Sequence, residues 1–297
     1  MEMSLEKRSL RIALIYAFIH VILYLVQRLC LIPIGRIENV NVGTVSILLS
    51  TIPLYLIGLP TALYLFKKIP SYSCPKEKKT LGPLCFLNCF FICYALLFTG
   101  GIISTSLEGL LSSFLGKPVL DPVALLVMSD TPRPLLIFAT VVVAPAGEEL
   151  LFRFLPYKKL CGFGTLPYML ITSFYFSLFH MNFFQGIYTF FAALVFSYVY
   201  AKTGKLRYCI MLHMMINFIG SVLAPLFSKN DASAVFFTLW LMLIFAIGLV
   251  KLGCLIYKKS FSDISFELSF FKPGWLINPG SIVFILLFLV ASLKGIL

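Results

Sequence analysis

Charge is what this 297-residue chain has little of: 12% of its residues are Asp, Glu, Lys or Arg, and only 12 of its side chains are acidic. A soluble domain carries about 25% charged residues, so a water-exposed globular fold is excluded. Internal repeats, low-complexity tracts and any soluble domain are also missing, and no small-x-small cleavage site follows the first apolar run, which reads as a retained helix. The eight cysteines, at 30, 74, 85, 89, 93, 161, 209 and 254, form no Cys-x-x-Cys pair, which implies neither a disulfide framework nor a zinc module. Cys85, Cys89 and Cys93 share one helical face at steps of four and read as a packing stripe.

What the chain does have is apolar length: 60% of residues are hydrophobic. Apolar runs bounded by charge, Pro or Gly predict helices at 9–32, 43–66, 83–106, 134–155, 166–185, 187–202, 205–227, 233–257 and 279–296. The fold class expected is all-α, a polytopic transmembrane helix bundle of about eight to nine spans. The net charge of +12 lies in short clusters between these runs, which argues for topology and against a nucleic-acid groove. With the N-terminus in the cytoplasm, 18 of the 24 Lys and Arg fall at cytoplasmic ends, among them Lys7, Arg8, Arg11, Lys67, Lys68, Lys158, Lys159, Lys202, Lys205 and Arg207. The chain divides into residues 1–133, N-terminal helices with an outer loop from about 107 suited to a short interfacial helix; 134–227, a core of polar-bearing helices; and 228–297, C-terminal helices.

Of the 12 acids, just Glu148 and Glu149 fall inside an apolar run. A charge at mid-membrane costs about 2.5–3.5 kcal/mol on insertion scales, so an adjacent pair there points to function. Arg153 stands four residues after Glu149, the favourable order for helical pairing, and Glu148 is turned about 100° away. Glu148 is therefore the candidate base. Pro145 and Gly147, just ahead, are the residues expected to bend this helix. Two further runs repeat the step of four, Phe176 with His180 and His213 with Asn217. A base, a group to orient water and donors for an oxyanion are the inventory of hydrolysis by an activated water. Two histidines and a carboxylate (Glu148, His180, His213) equally match a catalytic zinc shell with an open position. Glu149 with Arg153 alone is equally a structural ion pair, and His20, with no spaced partner, reads as a packing residue.

The ordered set EExxxR, FxxxH and HxxxN on separate spans resembles the CPBP intramembrane proteases, which include the type II CAAX prenyl endopeptidases and the bacterial Abi proteins of bacteriocin processing and self-immunity. The resemblance covers about residues 134–225, including the turn Thr203-Gly204-Lys205-Leu206, and departs at Phe154, where the family usually has a small residue and where a large one is expected to narrow the cavity. It implies a membrane metalloendopeptidase in which Glu148, helped by His180, activates the attacking water, His213 and Asn217 bind the oxyanion, and Glu149 and Arg153 hold the site. Zinc and metal-free glutamate mechanisms both stay open. The expected partners are the bilayer and a peptide or small membrane-protein substrate, prenylated or not, in a bacterial plasma membrane; the sequence sets no oligomeric state. A non-catalytic immunity or scaffold protein of the same fold is the alternative.

Overall fold

The computed structural model describes residues 3–35, 39–74, 80–119, 131–258 and 272–296. Among them there is no strand, and helices stand at all nine places where apolar runs predict them: α1 Leu5–Ile34, α2 Val42–Lys67, α3 Pro83–Leu115, α4 Arg133–Phe163, α5 Thr165–Phe179, α6 Phe183–Thr203, α7 Leu206–Phe227, α8 Asp231–Tyr257 and α9 Pro279–Ile296. Seven are long and apolar enough to cross a membrane, while α5 and α9 are shorter apolar helices. The chain is an integral membrane protein.

Three boundaries differ from expectation by more than a turn: α4 runs on to Phe163 rather than ending near 155, and two others differ for local reasons. The run at 166–185 is broken at Met181, whose φ of 51° leaves the right-handed region. Asn182 then caps α6, its side chain accepting from the N–H groups of Phe184 (3.1 Å) and Gln185 (3.3 Å). His180 is thereby left at the C-terminal cap of α5 rather than inside a longer helix. In turn, α3 continues to Leu115, so the start of the expected outer loop is helical; its 33 residues reach about 50 Å at about 1.5 Å per residue. Residues 120–130 of that loop, where the rest of the interfacial helix was expected, lie outside the described residues. The turn at Gly204 takes a positive φ of 58°, which closes α6 in the left-handed conformation that glycine adopts at low cost.

Among the described residues four helical stretches are widened into π turns: Leu54–Gly58, Phe138–Val143, Leu150–Phe154 and Ile219–Leu223. Each ends two residues before a proline, namely Pro60, Pro145, Pro156 and Pro225. Proline has no N–H and its ring collides with the carbonyl four residues back, and that carbonyl falls inside the π turn in every case, where the extra residue swings it clear. Two of these turns flank Glu148 and Glu149 on α4, so the bend expected from Pro145 takes the form of a local widening.

Widening loosens the backbone ladder, and carbonyls of the two α4 turns accept side-chain hydrogen bonds from four other helices. Thr140 accepts from Asn217 Nδ2 of α7 (2.8 Å), Val143 from the Tyr55 hydroxyl of α2, Leu151 from the Tyr16 hydroxyl of α1 (2.9 Å) and Arg153 from the Tyr168 hydroxyl of α5 (3.2 Å). Helix α4 is thus the hub of the bundle. Around it α3 packs on α6 and α8, α6 on α5, and α1 on α9.

The strand-free segment Ile69–Cys74 closes one end of α4. Tyr72 N–H donates to the Lys158 carbonyl (2.7 Å), Lys159 Nζ to the Ile69 carbonyl (2.8 Å), and the buried Arg8 to the carbonyls of Pro70 (2.5 Å) and Lys159 (2.9 Å). Cys74 and Cys161 are joined there by a disulfide, with Cα atoms 5.9 Å apart, which corrects the reading that the cysteines form no bridge. Their 87-residue separation gives no spacing signal; tertiary packing of the segment on the end of α4 brings them together. Thiol counting on the purified, denatured chain should find six reactive cysteines without reductant and eight with it; eight in both conditions would show the pair unbridged.

Candidate functional site

The site grows from the α-helical turn of α4 held between its two widened ones. Glu149 and Arg153, four residues apart, are both fully buried, and Arg153 Nε lies 3.1 Å from Glu149 Oε2. The second carboxylate oxygen, Oε1, lies 2.9 Å from His213 Nδ1 on α7. A carboxylate can only accept, so Nδ1 carries the proton of that bond and Nε2 is left for chemistry. That nitrogen faces the other glutamate, 3.8 Å from Glu148 Oε2. The result is one line of charges, Arg153, Glu149, His213 and Glu148, of which Glu148 is the least enclosed, its side chain 20% exposed against 0% for Glu149.

Aromatic rings hold this line. The His213 ring stacks on Phe196 at 5.1 Å and meets Phe176 edge-on at 5.9 Å. The Arg153 guanidinium lies over the same two rings, at 4.7 Å from Phe176 and 5.5 Å from Phe196. Its terminal nitrogens have no hydrogen-bond acceptor among the described residues, and its contact with Glu149 is a close charge pair rather than an aligned hydrogen bond. The positive charge is therefore balanced by Glu149 and by two ring faces. Phe176 also meets His180 edge-on at 4.7 Å, so it touches both imidazoles and the arginine.

His180 and Asn217 are each anchored to a carbonyl. His180 Nδ1 lies 2.8 Å from the Phe176 carbonyl, which makes it the donor there and Nε2 the nitrogen of interest. Asn217 gives one amide hydrogen to Thr140, so at least that half of the carboxamide ties α7 to α4. Glu148, Glu149, Arg153 and His213 are thus drawn into direct contact, and His180 packs on the Phe176 ring that also meets His213 and Arg153. Phe154, expected to narrow the cavity, is 46% exposed and points away from this cluster. His20 packs edge-on against Phe179 at 5.9 Å. Tyr55, Tyr16, Tyr168 and Phe196 escape sequence reasoning; the one signal for the tyrosines is that prolines flag the widened turns whose carbonyls need donors.

Of the residues expected as a zinc shell, Glu148 and His213 approach each other to 3.8 Å, and among the described residues no group of three His, Cys, Asp or Glu side chains is arranged to hold a metal ion.

The family model for the type II CAAX prenyl endopeptidase Rce1-like proteins matches residues 130–219, a span that takes in all seven residues of the three motifs. Over that span, less than half of its length, the chain is similar to that family. No curated protein and no solved structure matches it. Within the matched span, the buried Glu149–Arg153 pair should be the contact whose loss costs most. Breaking a buried pair by removing one partner costs about 3–5 kcal/mol; Arg153→Met should lower the thermal midpoint in detergent strongly, and adding Glu149→Gln should recover part of the loss. Additive losses would show that the two charges are not coupled.

Proposed function

We propose that the protein is an intramembrane endopeptidase that hydrolyses a peptide bond in a membrane-associated substrate by a water that Glu148 activates. The observation that carries this reading is the Glu148–His213–Glu149–Arg153 line, combined with the similarity to the prenyl-endopeptidase family. Two carboxylates and one arginine leave a buried site one negative charge in excess. A single proton restores balance: placed on His213 it makes an imidazolium that keeps its Nδ1 hydrogen bond to Glu149, donates through Nε2–H and leaves Glu148 an ionised base, across a 3.8 Å gap that one small shift closes.

In the resting site Glu148 is the carboxylate with access to solvent, so it takes a proton from water as that water attacks the scissile carbonyl. His180, whose Nδ1 is held by the Phe176 carbonyl, orients the water through Nε2. The tetrahedral oxyanion receives donors from His213 Nε2–H and from the Asn217 amide hydrogen that Thr140 does not use. Glu149 and Arg153 do not touch the reacting atoms; they fix the His213 tautomer and its tilt. Glu148 finally returns its proton to the leaving amine. Purified protein should carry no stoichiometric metal and keep its hydrolysis in chelator; loss of hydrolysis in chelator would overturn this metal-free reading.

The substrate class that fits is a lipid-anchored peptide, the CAAX-type prenylated chain or a small bacterial precursor, met near the membrane surface. We place the protein in a bacterial plasma membrane with its N-terminus in the cytoplasm, on the charge distribution. A non-catalytic immunity role for the same fold would survive loss of the base; a Glu148→Ala variant that still protects cells would favour it. For the enzyme, Glu148→Ala, His180→Ala and His213→Ala should abolish cleavage of a farnesylated CAAX peptide, and Asn217→Ala should lower turnover about 10²- to 10³-fold, the usual cost of one oxyanion donor. Equal turnover in wild type and all variants would overturn the proposal.

A further inference from the structure

We infer that Tyr55 is a positioning residue for Glu148, acting through Gly147; the inference rests on the reading of Glu148 as the base. Tyr55 lies in the widened turn of α2, and its hydroxyl donates to the Val143 carbonyl, the last of the widened turn that precedes the glutamates. In a regular helix that carbonyl would be the acceptor for the N–H of Gly147, four residues on. The phenol therefore enters the ladder at the turn that carries Glu148.

Gly147 makes the entry possible. A Cβ built at this position would stand 2.7 Å from the Tyr55 hydroxyl oxygen and 2.9 Å from ring carbon Cζ, closer than real side chains approach. The tip of the phenol thus lies flat on the backbone one residue before Glu148, in the space that any other amino acid would fill. Other tyrosines reach α4 as well, but Tyr16 and Tyr168 contact the turn beyond the glutamates, at Leu151 and Arg153. Tyr55 is the tyrosine on the approach side, where Asn217 also reaches Thr140, and it comes from a helix outside the matched span.

The geometry separates two kinds of role. A merely structural contact would change how much protein folds; a positioning contact changes how well the folded protein turns over. Misplacing a catalytic group by about 1 Å costs up to about 10²-fold in rate. Because the group a new Cβ meets is the far end of a side chain, Gly147→Ala should expel the phenol rather than unfold the helix.

The test uses the full-length protein in detergent or vesicles, with a quenched farnesylated CAAX peptide as probe, and measures kcat, KM and thermal midpoint. Tyr55→Phe keeps the ring and loses the hydroxyl; it should lower kcat about 10-fold or more with KM unchanged and the folded fraction intact. Gly147→Ala should lower kcat at least as far, and the double variant should be no worse than Gly147→Ala alone, since a displaced phenol has no hydroxyl contact left to lose. Wild-type kcat in Tyr55→Phe, or losses that multiply in the double variant, would overturn the inference while Glu148→Gln stays inactive. A Glu148→Gln enzyme that still cleaves the probe would instead overturn the reading of the base, and the inference with it.

Discussion

A single carboxylate, Glu149, decides the geometry of everything around it. It is fully buried, and it meets an arginine on its own helix and a histidine on another at 3.1 and 2.9 Å. In a bilayer such a charge is tolerated only when paired, so α4 and α7 cannot separate or slip without exposing it. Its second effect is chemical. By taking the proton of His213 Nδ1 as a hydrogen bond, it aims Nε2 at Glu148, and the neighbouring glutamates acquire different roles from one helical offset of about 100°.

The hydrogen bonds that pin α4 to its neighbours work on another scale. Side-chain hydrogen bonds within membranes average about 0.6 kcal/mol, so the contacts of Asn217, Tyr55, Tyr16 and Tyr168 add up to less than one broken buried ion pair, at about 3–5 kcal/mol. Their importance is register. Each grips a specific carbonyl in a widened turn, and each comes from a different helix. Rotation of α4 by one residue would lose them together and carry Glu148 away from His213. The prolines create those turns, and so residues far from any reacting atom set where the carboxylates stand.

The sequence shows the nine helices because apolar length is a strong signal, and it shows the polar motif residues because charge, imidazole and carboxamide are rare in such runs, with Phe176 added by its step of four to His180. Glu149 with Arg153 follows from a step of four on one helix. The partnership of Glu149 with His213 does not, because 64 residues separate them and only the packing of α7 on α4 fixes which carboxylate the imidazole meets. Phe154 illustrates the same limit: its place beside the arginine suggests the cavity, yet the widened turn Leu150–Phe154 leaves it outward and turns Phe152 to the core. The Cys74–Cys161 bridge was illegible for a third reason, since it depends on an irregular segment with no periodicity to read.

That bridge sets two physical rules against each other. The end of α4 that bears it also bears Lys158 and Lys159, close to Arg8, Lys67 and Lys68 in the set the positive-inside rule assigns to the cytoplasm. Cytoplasmic thiols are ordinarily kept reduced. The rules act at different times: Lys and Arg govern orientation as the helices insert, whereas redox conditions act later, on two sulfur atoms in a finished fold. Nor does the segment depend on sulfur for its place. Tyr72, Lys159 and Arg8 hold Ile69–Cys74 through backbone carbonyls, and the Arg8 guanidinium lies 4.2 Å from the Tyr72 ring centroid. The same short segment is thus held on α4 twice over, by polar contacts to backbone carbonyls and by the disulfide.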